Sequence, residues 1–143
     1  GEGALESIRS FLSKQKNKKI ALLGYGGAGK AILAFLLKDF NDNHKISVFN
    51  RTTISEEITR KLPVRFKELS DLRQSISEFD LIINSTSLGS NNFLNQTPID
   101  NEVLLDAKKH TIVYDIIYDP PLTELLRSAK KLGLKTIKEL LSI

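Results

Sequence analysis

The chain has 143 residues, of which 41% are hydrophobic and 27% charged, and its formal net charge is +4 at pH 7. This length suits one domain with a sizeable core, and the absence of Cys excludes disulfide and thiolate chemistry. The charge is mild, the lysine run at 14–19 has no interleaved aromatic residue, and no membrane-length apolar run occurs. We therefore expect no nucleic-acid or membrane partner and a cytoplasmic location. No metal-ligand spacing occurs either, so we expect no metal site.

Helical and strand periods alternate along the chain and predict an α/β fold. Predicted helices cover 4–12, 28–37, 56–62, 70–76, 101–107 and 123–132, and predicted strands cover 20–23, 45–49, 64–66, 80–84, 111–115 and 135–137. This order is typical of a three-layer, Rossmann-like, doubly wound parallel sheet. We expect a leading helix and linker (1–17), a nucleotide-binding core (18–137) and the start of a truncated C-terminal helix (138–143). Because Gly1 begins abruptly before a helix, the chain is expected to be a piece of a longer protein.

The first predicted strand runs into a glycine-rich turn and then a helix, which is the context of a dinucleotide-binding fingerprint. Gly24 would allow the sharp turn, Gly26 would let the backbone approach a pyrophosphate, and Gly29 would let helix and strand pack closely. Gly27 and Ala28 complete the loop. The same letters nearly fit a P-loop, but Ala31 stands where Mg²⁺ requires a hydroxyl, so Lys30 is expected on the exposed side of the helix.

The second strand ends in Asn50-Arg51-Thr52, where an NAD-binding domain would carry an acidic residue for the ribose. A guanidinium without a neighbouring carboxylate favours a 2′-phosphate, and hence NADP rather than NAD. The alternative is that Arg51 is only a solvated charge at the end of a strand.

Two further strand exits carry unusual polar residues. One is Asn84-Ser85-Thr86-Ser87, which suits contact with a ribose or nicotinamide but equally describes an ordinary turn. The other joins the strand at 111–115 to the helix capped by Thr123, and it contains Tyr118, which could touch a ligand or only pack the loop. Asp115 and Asp119 have no His or Lys partner in a recognisable spacing, and both histidines lie at amino ends of strands.

Together, these four motifs resemble the C-terminal nucleotide domain of shikimate dehydrogenases, and the resemblance covers nearly the whole chain. It implies NADPH-dependent reduction of 3-dehydroshikimate to shikimate, in the pathway to chorismate and the aromatic amino acids. It also implies that the loop from Gly24 to Ala28 holds the pyrophosphate and that Asn50, Arg51 and Thr52 bind the ribose and its 2′-phosphate. Residues 84–87 would line the cofactor cleft, Ile116 would approach the nicotinamide, and Tyr118 would touch the substrate.

Departures from the family pattern leave alternatives open. Ser55 stands where the family often has a second basic residue, so NAD use is possible, with Arg60 or Lys61 as candidate replacements. The resemblance places the catalytic Lys and Asp, and most substrate contacts, in an N-terminal domain that this chain lacks, so we expect no catalytic residue and no turnover here. A quinate/shikimate-type relative and a non-catalytic nucleotide-binding domain remain alternatives.

Overall fold

The computed structural model describes residues 2–40, 42–117 and 119–138. Its α-helices are α1 (Glu2–Ser13), α2 (Gly27–Phe40), α3 (Glu56–Thr59), α4 (Asn101–Leu104) and α5 (Glu124–Lys131). Its strands are β1 (Lys18–Leu23), β2 (His44–Asn50), β3 (Arg65–Glu68), β4 (Leu81–Asn84), β5 (Ile112–Asp115) and β6 (Lys135–Lys138). Three 3₁₀ helices cover Leu69–Gln74, Ile76–Glu78 and Asn91–Phe93. The predicted start of a C-terminal helix at residue 138 is wrong, since Lys138 ends β6, and residues 139–143 lie outside the described residues.

The strands form one parallel sheet in the order β3-β2-β1-β4-β5-β6. Strands β2 and β3 lie on one side of β1, and the later strands β4, β5 and β6 lie on the other side. This arrangement confirms the predicted doubly wound α/β fold. The reversal between β1 and β4 opens a crevice at the carboxyl ends of these strands, which is where such sheets bind ligands.

Two separate apolar clusters cover the two faces of the sheet. On one face, Ile8 and Leu12 of α1 and Leu36 of α2 pack on β1, β2, β4 and β5. On the other face, Leu72 and Leu126 pack on the strand residues that alternate with the first set. The central strands β1, β4 and β5 are therefore buried on both sides, and their near-continuous apolar sequence follows from this burial.

Two predicted helices are shorter or tighter than their sequence pattern suggests. The helix predicted over 56–62 ends at Thr59, ahead of Pro63, whose ring disfavours helical backbone in the preceding residue. The helix predicted over 70–76 is 3₁₀, broken at Ser75, which has a φ of −132°. Apolar residues stand at positions 69, 72, 76 and 79, and Leu72 and Ile76 within the helical turns are buried. This spacing is close to the three residues per turn of a 3₁₀ helix.

The predicted ends of α5 are confirmed. The Thr123 side chain accepts a hydrogen bond from Leu126 N at 3.2 Å, and Gly133 follows the helix with a φ of 79°. His44 is buried at the amino end of β2, where its ring bonds to Lys18 N and Leu12 O and serves packing. Among the described residues, no helix is both long enough and apolar enough to cross a bilayer.

Candidate functional site

The exits of four strands meet at the carboxyl edge of the sheet. Leu23, the last residue of β1, is in register with Phe49 of β2 and Asn84 of β4, and Asn84 is in register with Asp115 of β5. The structure therefore places all the residues predicted to bind the cofactor at this edge. They are Gly24, Gly26, Gly27, Ala28, Gly29, Asn50, Arg51, Thr52, Asn84, Ser85, Thr86, Ser87 and Ile116. Tyr118, the predicted substrate contact, lies outside the described residues.

The turn after β1 depends on two glycines. Gly24 has a φ of 97°, in the left-handed region, and its N–H donates to Phe49 O at 2.7 Å. A Cβ at Gly29 would lie 2.5 Å from the carbonyl oxygen of Gly24, so a side chain does not fit there. These contacts hold the start of α2 tightly against the end of β1.

The outer side of the same loop is open. A Cβ added at Gly26 or Gly27 would meet nothing within 4 Å, and both residues are exposed. Lys30 N donates to Gly26 O at 2.9 Å, so the N–H groups of residues 27–29 precede the first bond of the helix. The first turn of α2 carries no acidic residue. The loop thus forms a cradle of backbone N–H groups that fits a pyrophosphate.

Lys30 lies outside this cradle. It is exposed, as predicted, and its Nζ is 5.4 Å from the centroid of the Tyr25 ring. Tyr25 in turn packs edge-on against Phe66, with the two ring centroids 5.4 Å apart. A P-loop lysine would reach the phosphates, so this position counts against the P-loop alternative.

Asn50 connects the exit of β2 to the glycine loop. Its Oδ1 accepts a hydrogen bond from Tyr25 N at 3.1 Å, and its Nδ2 donates to the Thr52 carbonyl oxygen at 3.0 Å. Arg51 and Thr52 are exposed, and Arg51 forms no ion pair with any described residue. Asn50 therefore positions the loop, while the guanidinium of Arg51 faces solvent.

The neighbouring strand β3 brings a carboxylate near Asn50, and the sequence around Asn50 does not indicate this carboxylate. Glu68 ends β3 in register with Asn50, and its Oε1 accepts a hydrogen bond from Thr53 Oγ1 at 3.3 Å. Because side chains alternate along a strand, Glu68 shares a face with Phe66, which packs on the α2 side of the sheet. Glu68 also lines a cavity together with Thr53 and with Asp71 of the 3₁₀ helix Leu69–Gln74.

Internal hydrogen bonds hold the loop after β4. Asn84 is completely buried, and its Oδ1 accepts from Thr86 N at 2.9 Å and from Thr86 Oγ1 at 2.7 Å. Ser85 Oγ donates to Leu23 O at 2.6 Å, which fastens the loop to β1. Ser87 is exposed, whereas Ser85 and Thr86 are half-buried. A ligand in the crevice would therefore meet residues 85–87, and Asn84 would act by holding them in place.

Asp115 stands at the centre of a buried polar network after β5. Its Oδ1 accepts from Asn84 Nδ2 at 3.2 Å and from Ile117 N at 3.0 Å, and its Oδ2 accepts from Thr123 Oγ1 at 2.8 Å. Burial raises the pKa of the Asp115 carboxyl, although these hydrogen bonds lower it in part. With no exposed surface, Asp115 is a structural carboxylate that joins two loops to α5.

Beyond β2, Arg51 lines a cavity of about 270 Å³ that also contains Arg73. Arg73 lies in the 3₁₀ helix Leu69–Gln74, and sequence reasoning did not select it, because nothing in the spacing links it to Arg51. The two candidate replacements named from the sequence do not line this cavity. Arg60 is instead paired with Glu56 at 3.1 Å on the surface of α3. Among the described residues, no group of three His, Cys, Asp or Glu side chains forms a metal site.

Comparison with known proteins identifies the family to which this site belongs. The family model described as shikimate/quinate 5-dehydrogenase matches residues 6–143. The chain belongs to the shikimate/quinate 5-dehydrogenase family. The predicted resemblance is therefore confirmed, and it holds for nearly the whole chain.

Individual relatives in the shikimate/quinate 5-dehydrogenase family show what fraction of their length this chain covers. A shikimate dehydrogenase (NADP⁺) of Methanococcus vannielii is 35% identical over 98% of this chain, which covers 51% of that protein. A solved shikimate dehydrogenase in complex with NADP⁺ has a TM-score of 0.72 and 31% identity, over 97% of this chain and 49% of that one. A Listeria monocytogenes shikimate 5-dehydrogenase with shikimate and NAD has a TM-score of 0.75 and 27% identity, over 97% and 50%. The chain spans about half the length of these relatives.

Proposed function

We propose that this chain is the NADP(H)-binding domain of a shikimate dehydrogenase, an oxidoreductase that reduces 3-dehydroshikimate to shikimate. The observation that carries the proposal is the open N–H cradle at Gly26 and Gly27, together with the exposed Arg51 at the exit of the neighbouring strand, which forms no ion pair with a described residue. The cradle suits a pyrophosphate, and the guanidinium suits a 2′-phosphate. The names of the relatives support the same reading, since they are NADP⁺-dependent shikimate dehydrogenases.

Each group of residues has a defined part in this proposal. The N–H groups at the start of α2 bind the pyrophosphate, and Asn50 holds Arg51 and Thr52 toward the 2′-phosphate. Residues 85–87 line the cleft on the β4 side, with Asn84 holding them. The role proposed for Ile116 is to approach the nicotinamide, and its position at the exit of β5, where its N–H donates to Asn84 O at 3.2 Å, supports this role. The contact of Tyr118 with the substrate is carried by the family resemblance alone.

The reaction also requires a proton donor, and neither Asp115 nor Lys30 is suited to this role. When bound, NADPH provides the hydride for the ketone, and a proton donor must stand near the developing alkoxide. Asp115 is buried and holds three hydrogen bonds, and Lys30 lies over the Tyr25 ring. We infer that the proton donor is the Lys or Asp that the family carries in its substrate domain, and that the small-molecule substrate binds through that domain.

We expect Arg51→Ala to weaken NADP⁺ binding by about 10-fold to 100-fold, because hydrogen bonds to a charged group contribute about 1.5–3 kcal/mol. The affinity for NAD⁺, which has no 2′-phosphate, should change by less than about 2-fold. Calorimetric titration of the 143-residue chain with both dinucleotides measures this difference. Arg60→Ala is the matched control, since Arg60 is an exposed arginine paired with Glu56 on α3. Equal weakening of NADP⁺ and NAD⁺ binding in Arg51→Ala would contradict a 2′-phosphate contact.

A second expectation concerns turnover. The purified 143-residue chain should bind NADP⁺ but show no oxidation of shikimate when NADPH formation is followed at saturating substrate. Shikimate oxidation above the rate of a protein-free blank would show that the chain contains its own proton-transfer group. That result would leave the binding proposal standing and overturn only the assignment of catalysis to another domain.

The family model covers both shikimate and quinate enzymes, so quinate is the alternative substrate for the whole protein. NAD is the alternative cofactor, and the Listeria relative was solved with it. A place in chorismate and aromatic amino acid biosynthesis and a cytoplasmic location follow from the family resemblance and are part of this proposal. Comparing initial rates with shikimate and quinate in the full-length protein decides between the substrates.

A further inference from the structure

The cavity beside Arg51 combines an apolar interior with a charged rim. Its volume of about 270 Å³ lies just below the usual range for whole-ligand pockets, so it suits one end of an extended molecule. Leu72 and Ile99, both about 2% exposed, form part of the apolar wall. The charged groups that line it are Arg51, Arg73 and Asp100.

The two arginines are available to a ligand. Both are exposed, and neither forms an ion pair with any residue in the described ranges. Asp100 is not within ion-pair distance of either one, and its side chain does not cap α4. The lining thus contains two guanidinium groups and one carboxylate, so the cavity has an excess of positive charge.

The 3₁₀ geometry explains how Arg73 reaches the cavity. A 3₁₀ helix has three residues per turn, so residues three apart lie one above the other. Ser70 and Arg73 therefore share one side of the helix Leu69–Gln74, and both line the cavity. Leu72 anchors the helix in the core, which fixes the direction of that side. An α-helix, as the sequence predicts, would have separated Ser70 and Arg73 by a larger rotation.

We propose that Arg73 is a specificity residue that binds the 2′-phosphate of NADP together with Arg51, with Ser70 as a further hydrogen-bond donor. This inference rests on the proposed function, since it assigns the cavity to the adenosine end of the dinucleotide. A phosphate monoester carries a charge of about −1.5 to −2 at pH 7 and three acceptor oxygens. One guanidinium takes two of these oxygens in a bidentate contact, which leaves acceptor and charge for a second cation.

The test is a calorimetric titration of the 143-residue chain with NADP⁺ and NAD⁺ at one fixed ionic strength. Arg73→Ala should raise the Kd for NADP⁺ by about 10-fold and leave the Kd for NAD⁺ within about 2-fold. Arg73→Lys should lie between wild type and Arg73→Ala, because lysine keeps the charge without the bidentate fork. Arg65→Ala is the matched control, since Arg65 is an exposed arginine at the amino end of β3. Its affinities should equal those of wild type.

Other outcomes overturn the inference in distinguishable ways. If Arg73→Ala weakens NADP⁺ and NAD⁺ binding equally, Arg73 supports the cavity wall rather than the 2′-phosphate. If wild type prefers NADP⁺ and Arg73→Ala keeps that preference, the inference fails while the proposed function stands. If wild type binds neither dinucleotide, or prefers NAD⁺, the inference fails together with the NADP assignment. Circular dichroism melting of each variant shows whether a lost affinity reflects lost folding.

Discussion

Replacing Asp115 with alanine is expected to lower the free energy of unfolding by about 3–4 kcal/mol, because three buried donors would lose their acceptor at about 1–3 kcal/mol each. These donors are Asn84 Nδ2, Ile117 N and Thr123 Oγ1, and they belong to separate segments. The loss should therefore loosen the β4 loop, the β5 loop and the start of α5 together. Denaturant unfolding followed by circular dichroism measures the effect.

Asp115→Asn is the matched control. Its amide oxygen can still accept from Asn84 and Ile117, and its NH₂ can donate to Thr123, so we expect a loss of only about 1 kcal/mol. A loss in Asp115→Ala no greater than in Asp115→Asn would show that the network contributes little. The predicted loss would be a large fraction of the net stability of a domain of this size, which is typically about 5–15 kcal/mol.

The difference in stability between wild type and Asp115→Asn should depend on pH. Burial raises the pKa of Asp115 in the folded state, and hydrogen bonds offset only part of the rise. A raised pKa favours the folded state below the pKa of the unfolded chain, about 3.9, and this advantage is lost as the pH rises through the folded pKa. The stability of wild type relative to Asp115→Asn should therefore fall from pH 4 toward neutrality. A relative stability that rises over this range would contradict the assigned direction.

Substitutions in the glycine loop should separate folding from binding. Gly29→Ala is expected to cost about 2–3 kcal/mol of stability through overpacking, since its Cβ would lie 2.5 Å from Gly24 O. This loss would occur although alanine is favoured over glycine inside a helix by about 1 kcal/mol. Gly27→Ala is the matched control, because a Cβ there meets nothing within 4 Å, and it should leave stability unchanged or higher.

Gly26→Val, in contrast to Gly29→Ala, should weaken dinucleotide binding much more than it lowers stability. Space around Gly26 is open, so we expect a stability loss of no more than about 1 kcal/mol at this helix-capping position. The branched side chain would occupy the cradle, and the loss of backbone bonds to a pyrophosphate should weaken both NADP⁺ and NAD⁺ by on the order of 100-fold. Thermal melting and calorimetry on the same samples test the pair. Unchanged dinucleotide affinity in Gly26→Val would refute the cradle as the pyrophosphate site.

Much of the candidate site could be predicted because its signals are local. The turn at Gly24, the close packing at Gly29 and the capping of α5 by Thr123 each involve residues within a few positions in the chain. Local backbone requirements leave a mark on the sequence, since few residue types meet them. The alternation of strands and helices likewise predicts the parallel sheet and places every strand exit at the same edge.

Other features could not be read in this way. The 3₁₀ conformation of 69–78 depends on how Leu72 and Ile76 pack against the sheet, and an apolar spacing of three or four fits either helix type. Asn84 was predicted to line the cofactor cleft, whereas no role was predicted for Asp115, yet the two side chains bond to each other and are buried. The two residues are adjacent because β4 pairs with β5, and no local sequence pattern predicts this pairing.

The sequence by itself determined the fold class and the position of the glycine loop, because these follow from backbone preferences and periodic burial along short segments, and the resemblance of its four motifs indicated the family. Only the tertiary structure decided that Asp115 is a buried structural carboxylate, that Glu68 bonds to Thr53, and that Arg73 shares a cavity with Arg51. The physical reason is that each of these facts depends on contacts between segments distant in sequence. Such contacts are set by strand order and side-chain packing, and they leave no regular spacing in the chain.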